Sequence, residues 1–444
     1  MKKKWILSLV VISILHSSLF TPHVNAQELT LEACKQMARN NYPSIRQYGL
    51  IEQSRDLTLS NAAKAWLPGV SVTGFGGAMT DVLDASPLGE MKNGVYGASL
   101  TVNQVIYDGG AIGAQKRVAR AKSQVEEAQM DVQLYNINER VEQLFFGILM
   151  IDEQMKQVAL LQDNLSLSEK TVNSLMRNGL ATQGDLEQVQ VNQVQAEQKL
   201  VNLKTMRKAY ERMLGCFIKA PLLSPEERTP LLSPEGEDLK IVKPDLTVVS
   251  ITSSPRGGRE GALEGALEGA RPELHLFASQ ENMLTAQRKA LDTRLMPTVS
   301  AFGMASYHNK IMPIMKDRNL MAGVMLKWNI GALYTRKNDI ASLENQRQQI
   351  DVQRQTFLFN NNLQQQQSNG QIESLREQMA LDDKAVSLRE SILEKARKKV
   401  ELGTETVNEL LRDVNAVSEA RQQKAIHEIQ LLQEINKLNT VKGL

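Results

Sequence analysis

The chain has 444 residues, enough for roughly two to four ordinary domains, and 52 Lys plus Arg nearly balance 50 Asp plus Glu for a formal charge of +2. That balance, without basic blocks, excludes a nucleic-acid role built on phosphate neutralisation. Aromatics at 5% are too few for a large porin-like barrel with wide aromatic girdles, and two cysteines, Cys34 and Cys216, make neither a disulfide scaffold nor a four-cysteine metal site.

The N-terminus gives a compartment. Lys2-Lys3-Lys4, the apolar run from Trp5 to Phe20 and the small-residue end Val24-Asn25-Ala26 predict a secretory signal peptide over 1–26. The run is shorter than the about 20 residues a membrane helix needs. No later stretch approaches a membrane helix either. An exported chain of this kind enters a membrane only as a β-barrel or a part of one.

The remainder is a duplication, with repeats over 27–216 and 272–444. Pro43 and Pro68 recur as Pro272 and Pro297, both displaced by 229 positions. Ile106 and Gly179 recur as Ile330 and Gly403, both displaced by 224. Four points in register with one five-residue deletion are not a chance pattern.

Each copy has one plan. A helix (about 28–64, then 272–294) stops at Leu67-Pro68 or Met296-Pro297, because proline drives its predecessor out of helix. Two strands follow, 69–78 and 95–107 in the first copy, 298–308 and 320–331 in the second. Tyr96, Ala98, Leu100, Val102 and Ile106 share one face, and so do Leu320, Ala322, Val324, Leu326, Trp328 and Ile330. Pro87, Gly89 and Asn93 in the first copy, and Pro313, Asp317 and Asn319 in the second, mark the connections between strands. Long helical hairpins then cover 111–214 and 333–440. Apolar residues step by seven: Leu144, Ile151, Val158, Leu165 and Val172; Leu134, Val141, Ile148 and Met155; Val189, Ala196, Leu203 and Tyr210; Leu393, Val400, Val407 and Val414. Sustained sevens predict coiled-coil packing. Gly179 and Gly403 suit the hairpin turns, and Asp185 and Glu409 begin the return helices, where negative charge is favoured. Between the copies, 217–271 holds six of the thirteen prolines and small internal duplications, and reads as a linker with much mobility.

Chemistry is sparse. His275, His308 and His427 have no metal-ligand spacing, and no nucleophile elbow, phosphate loop or zinc motif occurs. Asp108-Gly109-Gly110 reads as a strand-to-helix turn rather than a phosphate nest. Cys34 and Cys216 read as two buried thiols, although export would permit a disulfide.

In this order the motifs carry a resemblance. Leu29-Thr30-Leu31-Glu32-Ala33, Asn41-Tyr42-Pro43, Trp66-Leu67-Pro68, Val105-Ile106-Tyr107-Asp108-Gly109-Gly110, Gly179 through Asp185-Leu186, Arg271-Pro272-Glu273-Leu274, Trp328-Asn329-Ile330 and Gly403 to Leu410 together resemble the TolC family of outer-membrane efflux proteins. The segment Leu326-Lys327-Trp328-Asn329-Ile330-Gly331, with no lipid-anchor Cys after Ala26, looks like the family's Bacteroidetes members. The resemblance implies a mainly α fold with a small β part. Duplicated helical hairpins would form a coiled-coil tunnel, and four strands would join a trimeric twelve-stranded outer-membrane barrel. It further implies a homotrimer in outer-membrane lipid, extending into the periplasm, with a membrane-fusion adaptor and an inner-membrane pump of RND or ABC type. It implies no catalysis and no cofactor. Gly179, Asp185, Leu186, Gly403, Glu405, Glu409 and Leu410 would form the tunnel tip that meets the adaptor. A gate arginine of the best-known member falls on Glu405 and a gate tyrosine on Val400, so an Arg–Asp latch is not expected. An acidic ring from Asp185, Glu405 or Glu409 that attracts cations is one expectation; plain helix caps are the other. The competing reading of the whole chain is a soluble periplasmic coiled-coil scaffold without a pore.

Overall fold

A computed structural model describes residues 29–78, 94–218, 241–244, 271–309 and 317–443. The signal peptide, most of the linker, and Pro87, Gly89, Asn93 and Pro313 lie outside these residues. The elements are α1 (Leu31–Asn41), a 3-10 turn (Pro43–Arg46), α2 (Gln47–Lys64), β1 (Gly69–Ala78), β2 (Gly94–Tyr107), α3 (Ala111–Arg177), α4 (Gln183–Ile218), α5 (Pro272–Thr293), β3 (Thr298–His308), β4 (Arg318–Lys327), α6 (Ala332–Glu401) and α7 (Val407–Lys442). They form two compact units.

The first unit takes in 29–42, 137–218, 241–244 and 370–437. Its core is made of the residues that step by seven. Ile151, Val158, Leu165 and Val172 of α3, Val189, Ala196 and Leu203 of α4, and Leu393, Val400, Val407 and Val414 of α6 and α7 are buried in one cluster. Helix geometry returns the same face every seven residues, so one apolar series closes one seam. At its N-terminal part, Thr30 Oγ1 caps α1 by accepting from Ala33 N at 3.3 Å. Lys35 pairs with Glu142 at 2.7 Å, both side chains mostly shielded. Burial works against the Lys35 charge, but Glu142 and Glu32 outweigh it and hold the ammonium above its ordinary pKa. Part of the predicted linker is tied down here. Val242 N donates to Leu29 O at 3.1 Å, and Lys243 pairs with Glu428 at 2.7 Å.

The second unit takes in 43–78, 94–136, 271–309, 317–369 and 438–443. It holds a four-stranded antiparallel sheet of order β1-β2-β3-β4. The duplication is visible in its hydrogen bonds. Trp66 N donates to Ala63 O and Leu67 N to Lys64 O, as Leu295 N donates to Asp292 O and Met296 N to Thr293 O. Both helices thus tighten into a last turn before their prolines. The Gln104 side chain donates to Trp66 O at 2.6 Å, and the Trp328 indole donates to Leu295 O at 3.0 Å. Each copy therefore pins its helix end with a side chain from its outgoing strand, Gln104 in β2, or from the residue just after it, Trp328.

Three expectations differ from the structure. The single helix over 28–64 breaks at Tyr42, whose ψ of 131° is extended, as a residue before proline must be. The fourth strand is Arg318–Lys327 rather than 320–331: Arg318 and Asn319, the latter expected in the loop, already pair with Tyr307 and Ser306, and Lys327 pairs with Thr298, the first residue of β3, beyond which no partner remains. Ile106 is not a simple alternating position: the register shifts between Val105 and Tyr107, a bulge at the helix end of β2.

Candidate functional site

The sheet has two unlike faces. In register across all four strands lie Val72, Leu100, Ala305 and Leu320, and beside them Val70, Val102, Gly303 and Ala322. Gln104, Ala301 and Val324 continue that face. The opposite face carries Thr73, Ser99, Ser306 and Asn319 in one row and Ser71, Thr101, Met304 and Met321 in another. The apolar face is not covered: Val72 is 75% exposed, Leu320 85% and Val324 69%. β1 and β4 are the outer strands, so each leaves one row of backbone N–H and C=O groups without a partner in the sheet. One end of the sheet, at Gly69, Tyr107, Thr298 and Lys327, leads to the helices; the other is at Ala78, Gly94, His308 and Arg318.

The strand-to-helix turn after β2 is closely built. The Asp108 carboxylate accepts from Gly110 N at 2.9 Å and Ile112 N at 2.6 Å, which caps α3. Gly109 has a φ of 65°, and a Cβ there would lie 2.5 Å from Met296 Cβ. Only glycine fits both the backbone and the contact.

The two hairpin turns share one construction. Gly179 and Gly403 have φ of 73° and 69°. Leu180 N donates to Leu175 O and Gly179 N to Met176 O; Thr404 N donates to Lys399 O and Gly403 N to Val400 O. These paired bonds satisfy the last carbonyls of α3 and α6. The return helices open with reciprocal caps. The Asp185 carboxylate accepts from Thr182 N at 2.8 Å and Thr182 Oγ1 at 2.7 Å, while Asp185 N donates to Thr182 Oγ1 at 3.3 Å. Glu409 and Thr406 repeat the arrangement at 3.0, 3.0 and 3.2 Å. Bonds from the Thr406 backbone and hydroxyl hold the Glu409 carboxyl below its ordinary pKa.

The other tip residues divide between inside and outside. Leu410 is buried, Leu186 packs half-buried on the core, and Val400 is buried. Glu405 is mostly shielded and pairs with Lys399 at 3.5 Å. The exposed apolar residues at the turns are Leu180, 60% exposed, and Leu402, 77% exposed. Sequence reasoning did not single them out, although each adjoins a turn glycine. It also missed Thr182 and Thr406, which a Thr-x-x-Asp/Glu search identifies.

The cysteine expectation is corrected. Cys34 and Cys216 are both free; Cys34 is buried and Cys216 exposed. Cys216 lies between buried Leu214 and Ile218 on α4 and therefore points to the other side of the helix. Burial pushes the Cys34 thiol up to about 11. Among the described residues no acid, His and Cys group could hold a metal ion, and no helix is long and apolar enough to cross a membrane.

Residues 35–214 match the family model described as outer membrane efflux protein. No curated protein matches the chain in sequence. Among solved structures, CusC is 13% identical with a TM-score of 0.68, covering 93% of this chain and 91% of its own. CmeC of Campylobacter jejuni is 12% identical with a TM-score of 0.65 and coverages of 93% and 85%. The open state of MtrE from Neisseria gonorrhoeae is 13% identical with a TM-score of 0.63 and coverages of 93% and 88%. All three are named as outer-membrane or transmembrane channels. The chain is thus similar over residues 35–214 to the outer membrane efflux proteins, and its fold is that of the TolC-like outer-membrane channels.

Proposed function

We propose that the chain is one protomer of a homotrimeric exit duct of the outer membrane, extending into the periplasm. The observation that carries this reading is the open-edged sheet with one exposed apolar face. Unpaired strand edges are not viable in lipid, and four strands cannot close around a channel. Three copies joined edge to edge give twelve strands and no free edge. The helices support association as well. A second set of sevens remains exposed: Leu160 and Leu167, Val194 and Val201, Leu381 and Leu388. Such seams fit a neighbouring helical hairpin better than water. A soluble scaffold gives no account of the exposed strand face.

The tips are the proposed docking point for a membrane-fusion adaptor, which would link the duct to an inner-membrane pump of RND or ABC type. Leu180 and Leu402 would supply apolar contact there. Gly179, Gly403, Asp185 and Glu409 would hold the turns that present them, with Leu186 and Leu410 packed beneath. Because Asp185 and Glu409 already accept cap hydrogen bonds, their role as helix caps is favoured over a cation-attracting ring.

Imaging of single particles extracted in mild detergent tests the duct. A three-fold particle with a short barrel and a helical cylinder is expected. A monomer or dimer that stays in solution without detergent overturns the reading.

A further inference from the structure

We propose that the corner of the apolar face at Arg318 and Tyr307 binds the phosphate of a glycolipid in the outer leaflet; this rests on the duct reading. On the strands, Arg318 is the only charged residue of that face among the described residues. It lies directly opposite Tyr307, and Leu320 and Ala305 form the next row on the same face. Small residues, Ala98 and Ala305, leave a trough of about 660 Å3 between Leu100, Tyr307, Arg318 and Leu320. The Arg318 guanidinium makes no hydrogen bond or ion pair with the described residues, its neighbour Asp317 included. The corner is at the sheet end away from the helices. With the helices in the periplasm, that end meets the outer leaflet.

The chemistry fits an amphiphile. A guanidinium offers paired donors to a phosphate. Tyrosine, with an apolar ring and a polar tip, favours the membrane interface. Leu100 and Leu320 give an acyl chain apolar surface next to the head group. An arginine is also tolerated far better there than at the midplane.

The test uses the full chain purified in detergent. It is mixed with bis-phosphorylated lipid A, with dephosphorylated lipid A, or with inorganic phosphate alone, and adducts are measured by native mass spectrometry. Lipid A is expected to be retained, with about tenfold weaker retention in Arg318→Gln and close to full retention in Arg318→Lys. Dephosphorylated lipid is expected to bind about tenfold more weakly to the unaltered chain, and phosphate alone not at all. Lys327→Gln, at the other end and on the other face, leaves binding unchanged. Equal retention by Arg318→Gln, equal binding of dephosphorylated lipid, or capture of free phosphate overturns the site. Should Arg318→Gln fail to fold, the dephosphorylated lipid on the unaltered chain decides. A trimeric membrane particle that is indifferent to Arg318 removes the site and keeps the duct; a chain that forms no membrane particle removes both.

Discussion

Cys34 on α1 and Cys216 on α4 show how the facing of a helical position separates two residues of the same type. Cys34 is fully buried, and its thiol is pushed up to about 11. Cys216 is exposed. A maleimide at pH 7.5 should therefore label Cys216 and leave Cys34 unmodified until the chain is denatured, as read by intact mass. Labelling of both at equal rates in the native state would contradict the burial of Cys34. The folded thiol is favoured in its neutral form, so its contribution to stability is present below pH 9 and declines as pH rises towards 11. Export allows a disulfide in principle, but the choice between pairing and burial depends on distance and facing. The helical position of Cys216, between Leu214 and Ile218, carried part of that answer. The position of Cys34 did not.

At the scale of elements, the caps and the seams behave differently under mutation. Replacing Thr182 or Thr406 by Ala removes a reciprocal cap and should cost about 1 kcal/mol each, read by denaturant unfolding. Glu409 adds a pH signature. Its folded pKa is lowered by Thr406, so its stabilising contribution is complete above its ordinary value of 4.5 and is lost as pH falls through the lower, folded value. The melting difference between the unaltered chain and Glu409→Gln should be constant near neutral pH and shrink below pH 4.5; a difference that grows on acidification would refute the cap. In the seam, Leu165→Ala empties a fully buried position and should cost about 2–5 kcal/mol. Leu167→Ala, at a position 45% exposed, should cost the isolated protomer much less. The sevens made this core legible because one period selects one face. Three features were less legible: the break at Tyr42, the bulge at Ile106 and the end of β4. Each is set by a partner strand or by proline geometry, which hydrophobic spacing does not record.

At the scale of the molecule, the sheet's two faces make the duct reading testable by substitution. Val324 lies on the apolar face in register with Ala301 and Gln104; Thr101 lies on the other face beside Met304. If the sheet is part of a closed barrel, the first face meets lipid and the second a water-filled interior. An arginine at Val324 then sits in hydrocarbon and should destabilise the membrane form by about 2–4 kcal/mol near the midplane. An arginine at Thr101 is hydrated and should leave assembly intact while shifting conductance towards anions. The alternation that separates these faces was readable along each strand. The register that aligns them across four strands was not, because it depends on pairing between two copies of the repeat far apart in the chain. Trimer yield from detergent extracts and reversal potentials in planar bilayers measure the two effects separately. Loss of trimer with Val324→Arg and retention with Thr101→Arg is the expected pair. The reverse pattern would turn the sheet inside out, placing Ser99, Thr101 and Ser306 against lipid. Indifference to both would remove the membrane from the account of this sheet altogether.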